Sequence, residues 1–116
     1  MRNPGVNAAT RRLERRIARA QHLAALLVNQ GRCAQLPPGT WAAAEQAHFD
    51  ATVWTAAFEA AWPAAAVCVD CPVKAVCRQW AAADHYTGIA AGLVFVDGSP
   101  HALHHTRYRP APIHAA

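Results

Sequence analysis

The sequence predicts a mostly α-helical small domain organised around a four-cysteine metal cluster, with a short C-terminal β-hairpin or turn. Three observations predict it. Alanine supplies 29 of the 116 residues, and alanine favours helix while burying little area. The larger apolar residues of the first half recur at helical spacing. The only four cysteines, Cys33, Cys68, Cys71 and Cys77, offer the kind of staple that a thin core needs.

A chain this long suits one domain, and its elements follow in order. Residues 1–7 are expected to be disordered, because Pro4 and Gly5 discourage a helix. A first helix is predicted from Ala8 or Arg11 to Asn29, with Leu13, Ile17, Ala20, Ala24 and Leu27 on one face and Gly31 just past its end. Arg12, Arg16 and Arg19 share a different face. Pro37-Pro38-Gly39 breaks the chain, and Thr40 can cap a helix starting at Trp41. Asp50 caps a further helix, or one continuous helix runs to Trp62. Trp54, Phe58 and Trp62 stand four apart, a stripe expected to face the core and in part a partner.

Pro63 should open a short alanine-rich segment carrying Cys68. Pro72 suits the first position of a helix reaching about Asp84, with Cys71 at or near its N-cap. Beyond Gly88 the character changes. Leu93 to Val96 is β-like, Asp97-Gly98 is a hairpin-turn signal, and Pro100 restricts a returning strand to an edge. The domain is therefore placed at 8–98, with 99–116 a flexible tail.

The formal charge of +4 is uneven. Residues 1–32 carry seven Arg against one Glu, residues 33–67 are acidic, and the remainder is close to neutral. A basic front end meets nucleic acid, an acidic surface or a membrane, or is simply a solvated helix face. The apolar run from His22 to Val28 is too short to span a bilayer and follows Arg19 and Gln21, so neither a membrane segment nor an export signal is expected. The expected compartment is then the cytoplasm, where thiols stay reduced and clustered cysteines point to metal or redox chemistry. No nucleophile stands with a base, no phosphate loop occurs and no carboxylates pair, so an enzyme is not expected.

The cysteines are spaced with thirty-four residues, then two, then five between them. Four thiolates complete an iron–sulfur site, and Cys68-Val69-Asp70-Cys71 sets two of them on one turn. Three other uses stay open. Zinc takes the same number of thiolates, although zinc ribbons and fingers usually show two close pairs. A redox dithiol of Cys68 and Cys71 expects a βαβ context, absent here, and leaves Cys33 and Cys77 unexplained. The last is four buried thiols without metal. His101, His104 and His105 lack a nearby cysteine or carboxylate and read as exposed tail histidines.

The string Val67-Cys68-Val69-Asp70-Cys71-Pro72-Val73-Lys74-Ala75-Val76-Cys77, followed by Trp80-Ala81 and then Gly88-Ile89-Ala90-Ala91-Gly92, resembles the WhiB-like transcriptional regulators of actinobacteria and their phages. Close similarity is confined to residues 66–92. The resemblance implies a [4Fe–4S] cluster, sensitive to oxygen and nitric oxide, on Cys33, Cys68, Cys71 and Cys77. It implies a helical fold around that cluster and a partner in the C-terminal domain of the primary sigma factor of RNA polymerase, with promoter DNA as a further contact. Gly88, Ile89, Ala90, Ala91 and Gly92 correspond to the turn that holds the sigma factor. Here Ala90 stands where the family has tryptophan and Ala91 where it has the next glycine, which would shift the anchor to Phe95 or a neighbouring tryptophan. Many members end in a basic DNA-binding tail. This chain keeps only Arg107 and Arg109 there and carries its basic charge in front, on Arg11, Arg12, Arg15, Arg16 and Arg19. Lys74 and Arg78 are the local candidates to balance an anionic centre.

Overall fold

The computed structural model describes residues 4–103. Four α-helices and a short 3-10 helix, Arg32–Gln35, lead into three strands. The helices are α1 Pro4–Leu27, α2 Thr40–Asp50, α3 Trp54–Val67 and α4 Lys74–Ala83, and the strands are β1 Gly88–Ala90, β2 Leu93–Val96 and β3 Ser99–His101. The sequence-predicted tail residues Arg107 and Arg109, with His104 and His105, lie outside the described residues.

Helix α1 begins at Pro4, ahead of the expected start, because a proline's fixed φ and missing amide suit a helix's first turn. It ends where Asn29 takes the left-handed position, φ 59°, two residues before Gly31. Its inward face also differs from the expected one. Ala20 and Leu23 are buried, whereas Leu13 and Ile17 are nearly half exposed (48% and 45%). Arg16, expected on the outer face, is half-buried toward α4.

Helices α2 and α3 are separate, broken at 51–53 where Val53 is extended. They pack as a hairpin, and the imidazole Nδ1 of the fully buried His48 donates to the Ala57 carbonyl at 2.7 Å. Helix α3 runs through Pro63 instead of restarting there. Its core contacts come from Ala57, Ala61, Ala64 and Ala65, each at most 2% exposed. The aromatic stripe drifts off this face, since four residues exceed one 3.6-residue turn. Trp54 and Phe58 are half-buried, and Trp62, stacked on Phe58 at 5.7 Å, is 48% exposed.

Beyond α4 the expected hairpin is one half of a three-stranded antiparallel sheet in the order β1-β2-β3. Both tight turns place two successive residues in the left-handed region, Ala91 (φ 53°) with Gly92 (φ 76°), and Asp97 (φ 48°) with Gly98 (φ 81°). Pro100 pairs with Phe95 from the edge strand β3. Strand alternation then divides the core. Ile89 and Val94, opposite each other, pack on Ala61, Ala64 and Ala65 of α3. Ala90 and Phe95, on the other face, pack on Ala81 of α4 with Cys77 and Trp80 beside them. The small side chains let helices and sheet approach closely, and Cys77 packs against the second half of the core. No helix among the described residues is long and apolar enough to cross a membrane.

Candidate metal centre

Each cysteine is placed by a different local device. Cys33 lies in the 3-10 helix after α1. A Cβ on Gly31 would fall 3.2 Å from the Cys33 sulfur and 3.8 Å from Val73, so this side chain turns beside the Cys-Pro-Val segment through a gap that glycine leaves. Cys68 is the C-cap of α3, its thiol 4.0 Å from the Ala64 carbonyl. The chain then reverses in a turn closed by the Cys71 amide on the Cys68 carbonyl at 3.2 Å. The Lys74 amide donates to the Cys71 carbonyl at 3.3 Å, and the Cys77 amide to the Val73 carbonyl at 2.8 Å, which starts α4 with Cys77 in its first turns. Val73 takes the N-cap, so the helix begins two residues later than Pro72 suggested.

All four cysteines line one cavity of about 360 Å³. They are free thiols, with Cys68 buried, Cys71 and Cys77 half-buried and Cys33 exposed. The other walls are largely apolar, from Leu27 and Val28 of α1's end and Trp41, Trp80 and Ile89 elsewhere. Val28 is 63% exposed, so with Cys33 it marks the open side. Among the described residues Lys74 is the one charged side chain lining the cavity; Arg78, the other candidate, is exposed and does not line it.

Burial pushes the Cys68 thiol above its ordinary pKa, with the Gly92 backbone hydrogen bond and the Lys74 charge pulling the other way. Burial likewise pushes Cys77 up to about 11, opposed by a hydrogen bond from the Ala91 backbone. The β1–β2 turn therefore aims two successive amides at two of the four sulfurs, an arrangement that favours anionic sulfur. The wall thus combines four soft sulfur donors, amides directed at two of them and one ammonium, with no carboxylate among the described residues that line it. Among the described residues no three His, Cys, Asp or Glu side chains come together so as to hold a single metal ion. The four sulfurs thus border one cavity without any three of them grouped about one ion.

The residues corresponding to a partner-binding turn are placed differently from expectation. Ile89, Ala90, Ala91 and Phe95 are at most 3% exposed, and Gly88 is buried. Phe95 is a core residue packed on Ala81, so it does not serve as a surface anchor. Ile89, Ala90 and Ala91 instead line the cysteine cavity. Arg11, Arg12, Arg15, Arg16 and Arg19 lie on α1, away from the cavity lining. His101 is exposed on β3.

Several residues that shape the centre were not singled out from sequence. Arg32 Nε contacts both the carbonyl and the carboxylate of Asp70, each at 3.2 Å. Trp41 donates its indole N–H to the Ile89 carbonyl at 3.0 Å. The Glu45 carboxylate accepts the Ile89 amide at 2.6 Å and also the Tyr86 hydroxyl. Adjacency to the cysteines was a usable signal for Arg32 and Asp70. For Trp41, Glu45 and Tyr86 there was none, because their meeting depends on helix α2 lying over β1. Compared with known proteins, the chain matches no family model, no curated protein and no solved structure.

Proposed function

We propose that this chain is an iron–sulfur-cluster-binding transcriptional regulator of the WhiB-like kind, with Cys33, Cys68, Cys71 and Cys77 as the cluster ligands. The observation that carries the proposal is the convergence of all four free thiols on one largely apolar cavity. Zinc fits less well. Its thiolates must all stand about 2.3 Å from one point, and no such grouping occurs among the described residues. A cluster of several irons is a wider body and suits donors arranged around a space. A dithiol reductase is disfavoured because Cys68 is buried and its thiol pKa raised by that burial, the opposite of an activated thiolate.

Bound there, a cluster supplies a centre that oxygen and nitric oxide attack. The chain's part is to hold and shelter it. Trp41, Trp80 and Tyr86 keep water from the inner side, Lys74 offsets negative charge, and the Ala91–Gly92 amides hydrogen-bond sulfur. Cys33 is the ligand that ties the end of α1 to the second half of the chain. Without a bound cluster, the Gly31–Gln35 segment would be held to the second half of the chain chiefly by Arg32 on Asp70, which would give the centre a structural output. The resemblance makes the C-terminal domain of the primary sigma factor the partner. With Gly88 to Ala91 buried and Gly92 half-buried, the contact surface falls to residues around the open side, near Val28 and Cys33.

The test is purification and reconstitution without oxygen, followed by visible absorbance, metal analysis and acid-labile sulfide. A coloured protein with iron and sulfide in equal amounts is expected, lost on Cys→Ser replacement at any of the four positions. The same samples are used to capture the sigma-factor domain, and capture is expected only with the cluster present. A colourless, iron-free protein carrying one zinc would refute the reading.

A further inference from the structure

We propose that the arginine-bearing face of α1, together with the adjoining side of α4, is a docking surface for the phosphate backbone of duplex DNA. Arg11, Arg12, Arg15, Arg16 and Arg19 fall within nine residues of one helix. At 1.5 Å per residue they span about 12 Å, or three to four base-pair steps of about 3.4 Å. Arg15, Arg16 and Arg19 border a hollow of about 510 Å³ whose other walls are Gln79, Ala82 and Ala83 of α4.

This face differs from an ordinary solvated one in two respects. First, two of its guanidinium groups are held across the helix pair. Arg19 Nη2 donates to Gln79 Oε1 at 3.3 Å, and Arg16 Nη1 lies 2.8 Å from both ring nitrogens of His85. Holding them in the free protein lowers the ordering cost of binding. Second, the charge is not cancelled. Among the described residues none of the five arginines forms an ion pair with an acidic side chain. The acidic neighbours are few: Glu14 is exposed on α1 three residues from Arg11, Asp84 shares a separate hollow with Arg16, and Asp97 faces His85 at 3.4 Å. Arg11, Arg12, Arg15 and Arg19 are exposed.

The floor selects the partner. A protein interface is anchored by aromatic or aliphatic side chains seated in apolar pockets, whereas among the described residues this hollow is lined by arginine stems, Gln79 and the small side chains of Ala82 and Ala83, with no large apolar residue. A phosphodiester backbone needs a shallow approach and forked donors that pair with its oxygens, which guanidinium supplies. The contact carries no sequence information and sets position on the duplex. It uses no cysteine, so it stands apart from the cluster reading.

The experiment is fluorescence anisotropy of the full chain with a labelled duplex of arbitrary sequence across a salt series, with iron content measured on the same samples. Three proteins are compared: wild type, the triple variant R12Q/R15Q/R19Q and its charge-keeping counterpart R12K/R15K/R19K. For wild type we expect log K to fall linearly with log salt. Each phosphate that an arginine neutralises adds about 0.9 to the slope. In the glutamine variant the slope should therefore shrink by about three, and binding at about 0.1 M salt should weaken roughly tenfold or more. The lysine variant should keep the wild-type slope. An unchanged slope in the glutamine variant with helix content intact overturns the proposal. So does no salt-dependent binding by wild type, or tighter binding to poly-glutamate than to the duplex. Iron-loaded protein that fails to bind DNA overturns this inference alone, and iron-free protein that binds it leaves this inference standing while the cluster reading fails.

Discussion

Arg32 grips Asp70 by two contacts of 3.2 Å, one to the backbone carbonyl and one to the carboxylate. Each residue stands immediately before a cysteine, Cys33 in one case and Cys71 in the other. The pair therefore joins the two parts of the thiol set that lie farthest apart in sequence. Both side chains are well exposed, 47% and 73%, so the ion pair itself contributes at most about 1 kcal/mol to stability. Its larger effect is positional.

Arg32→Ala should leave the unfolding midpoint of the metal-free protein within about 1 kcal/mol of wild type. It should nevertheless shorten the lifetime of the reconstituted centre in air severalfold. Bleaching of the visible absorbance, timed for both proteins, checks this. Equal bleaching rates would remove the positional role.

Ala91 holds φ at 53°, a conformation that costs a residue with a Cβ and costs glycine little. Ala91→Gly should stabilise the fold by about 0.5–1 kcal/mol, the strain relief slightly exceeding the added freedom of the unfolded chain. The adjacent hydrogen bond to Cys77 comes from the backbone and is kept. A urea titration at constant m-value gives the answer, and a lower midpoint would contradict it.

Gly88 makes the opposite case. A Cβ there would overlap the Glu45 carboxylate and lie 2.8 Å from the Tyr86 ring. Gly88→Ala should destabilise by about 2–3 kcal/mol, since the displaced carboxylate also loses the Ile89 amide and the Tyr86 hydroxyl. The same urea titration reads it.

His48 is fully buried, and desolvation lowers its pKa below the ordinary 6.5, with the Ala57 carbonyl opposing. The folded protein therefore binds this proton less readily than the unfolded chain. The stability attached to a neutral His48 is complete above pH 6.5 and is lost progressively as pH falls below that value. Denaturation midpoints from about pH 8 to about pH 5 should show this decline, and His48→Gln should flatten it while lowering stability throughout.

In the reduced, metal-free protein, iodoacetamide should modify Cys33 first and Cys68 and Cys77 last. Cys33 is exposed, whereas burial raises the thiol pKa of Cys68 and pushes Cys77 up to about 11. Peptide mass mapping over time gives the order. Early labelling of Cys77 would mean that α4 opens more readily than its packing suggests.

Much of the architecture was legible before any coordinates. The break at Pro37-Pro38-Gly39, the helix after Cys71-Pro72, the Asp97-Gly98 turn and the edge position of Pro100 all follow from local backbone chemistry. The errors came where tertiary packing outweighed local signals. Pro63 reads as a beginning, yet α3 continues past it, because the alanines on either side bury against Ile89 and Val94. Trp54, Phe58 and Trp62 read as a stripe facing the core with a part left uncovered; Trp62 is that uncovered part, while alanine supplies the fully buried face of α3. The strand β1 is too short and too rich in small residues to show an alternating pattern, and only its pairing with β2 reveals it.

By itself, then, the sequence determined a helical chain with four cysteines, the main breaks between its helices, and which end carries the positive charge. Those are consequences of φ restriction, periodicity and side-chain charge, all local properties. The tertiary structure alone decided that Cys33 meets the other three across a cavity, that the Ala91–Gly92 amides point at sulfur, and that Gly88 to Ala91 are buried. Each of these joins residues distant along the chain. Such contacts arise from close packing of α3, α4 and the sheet, which no single stretch of sequence encodes.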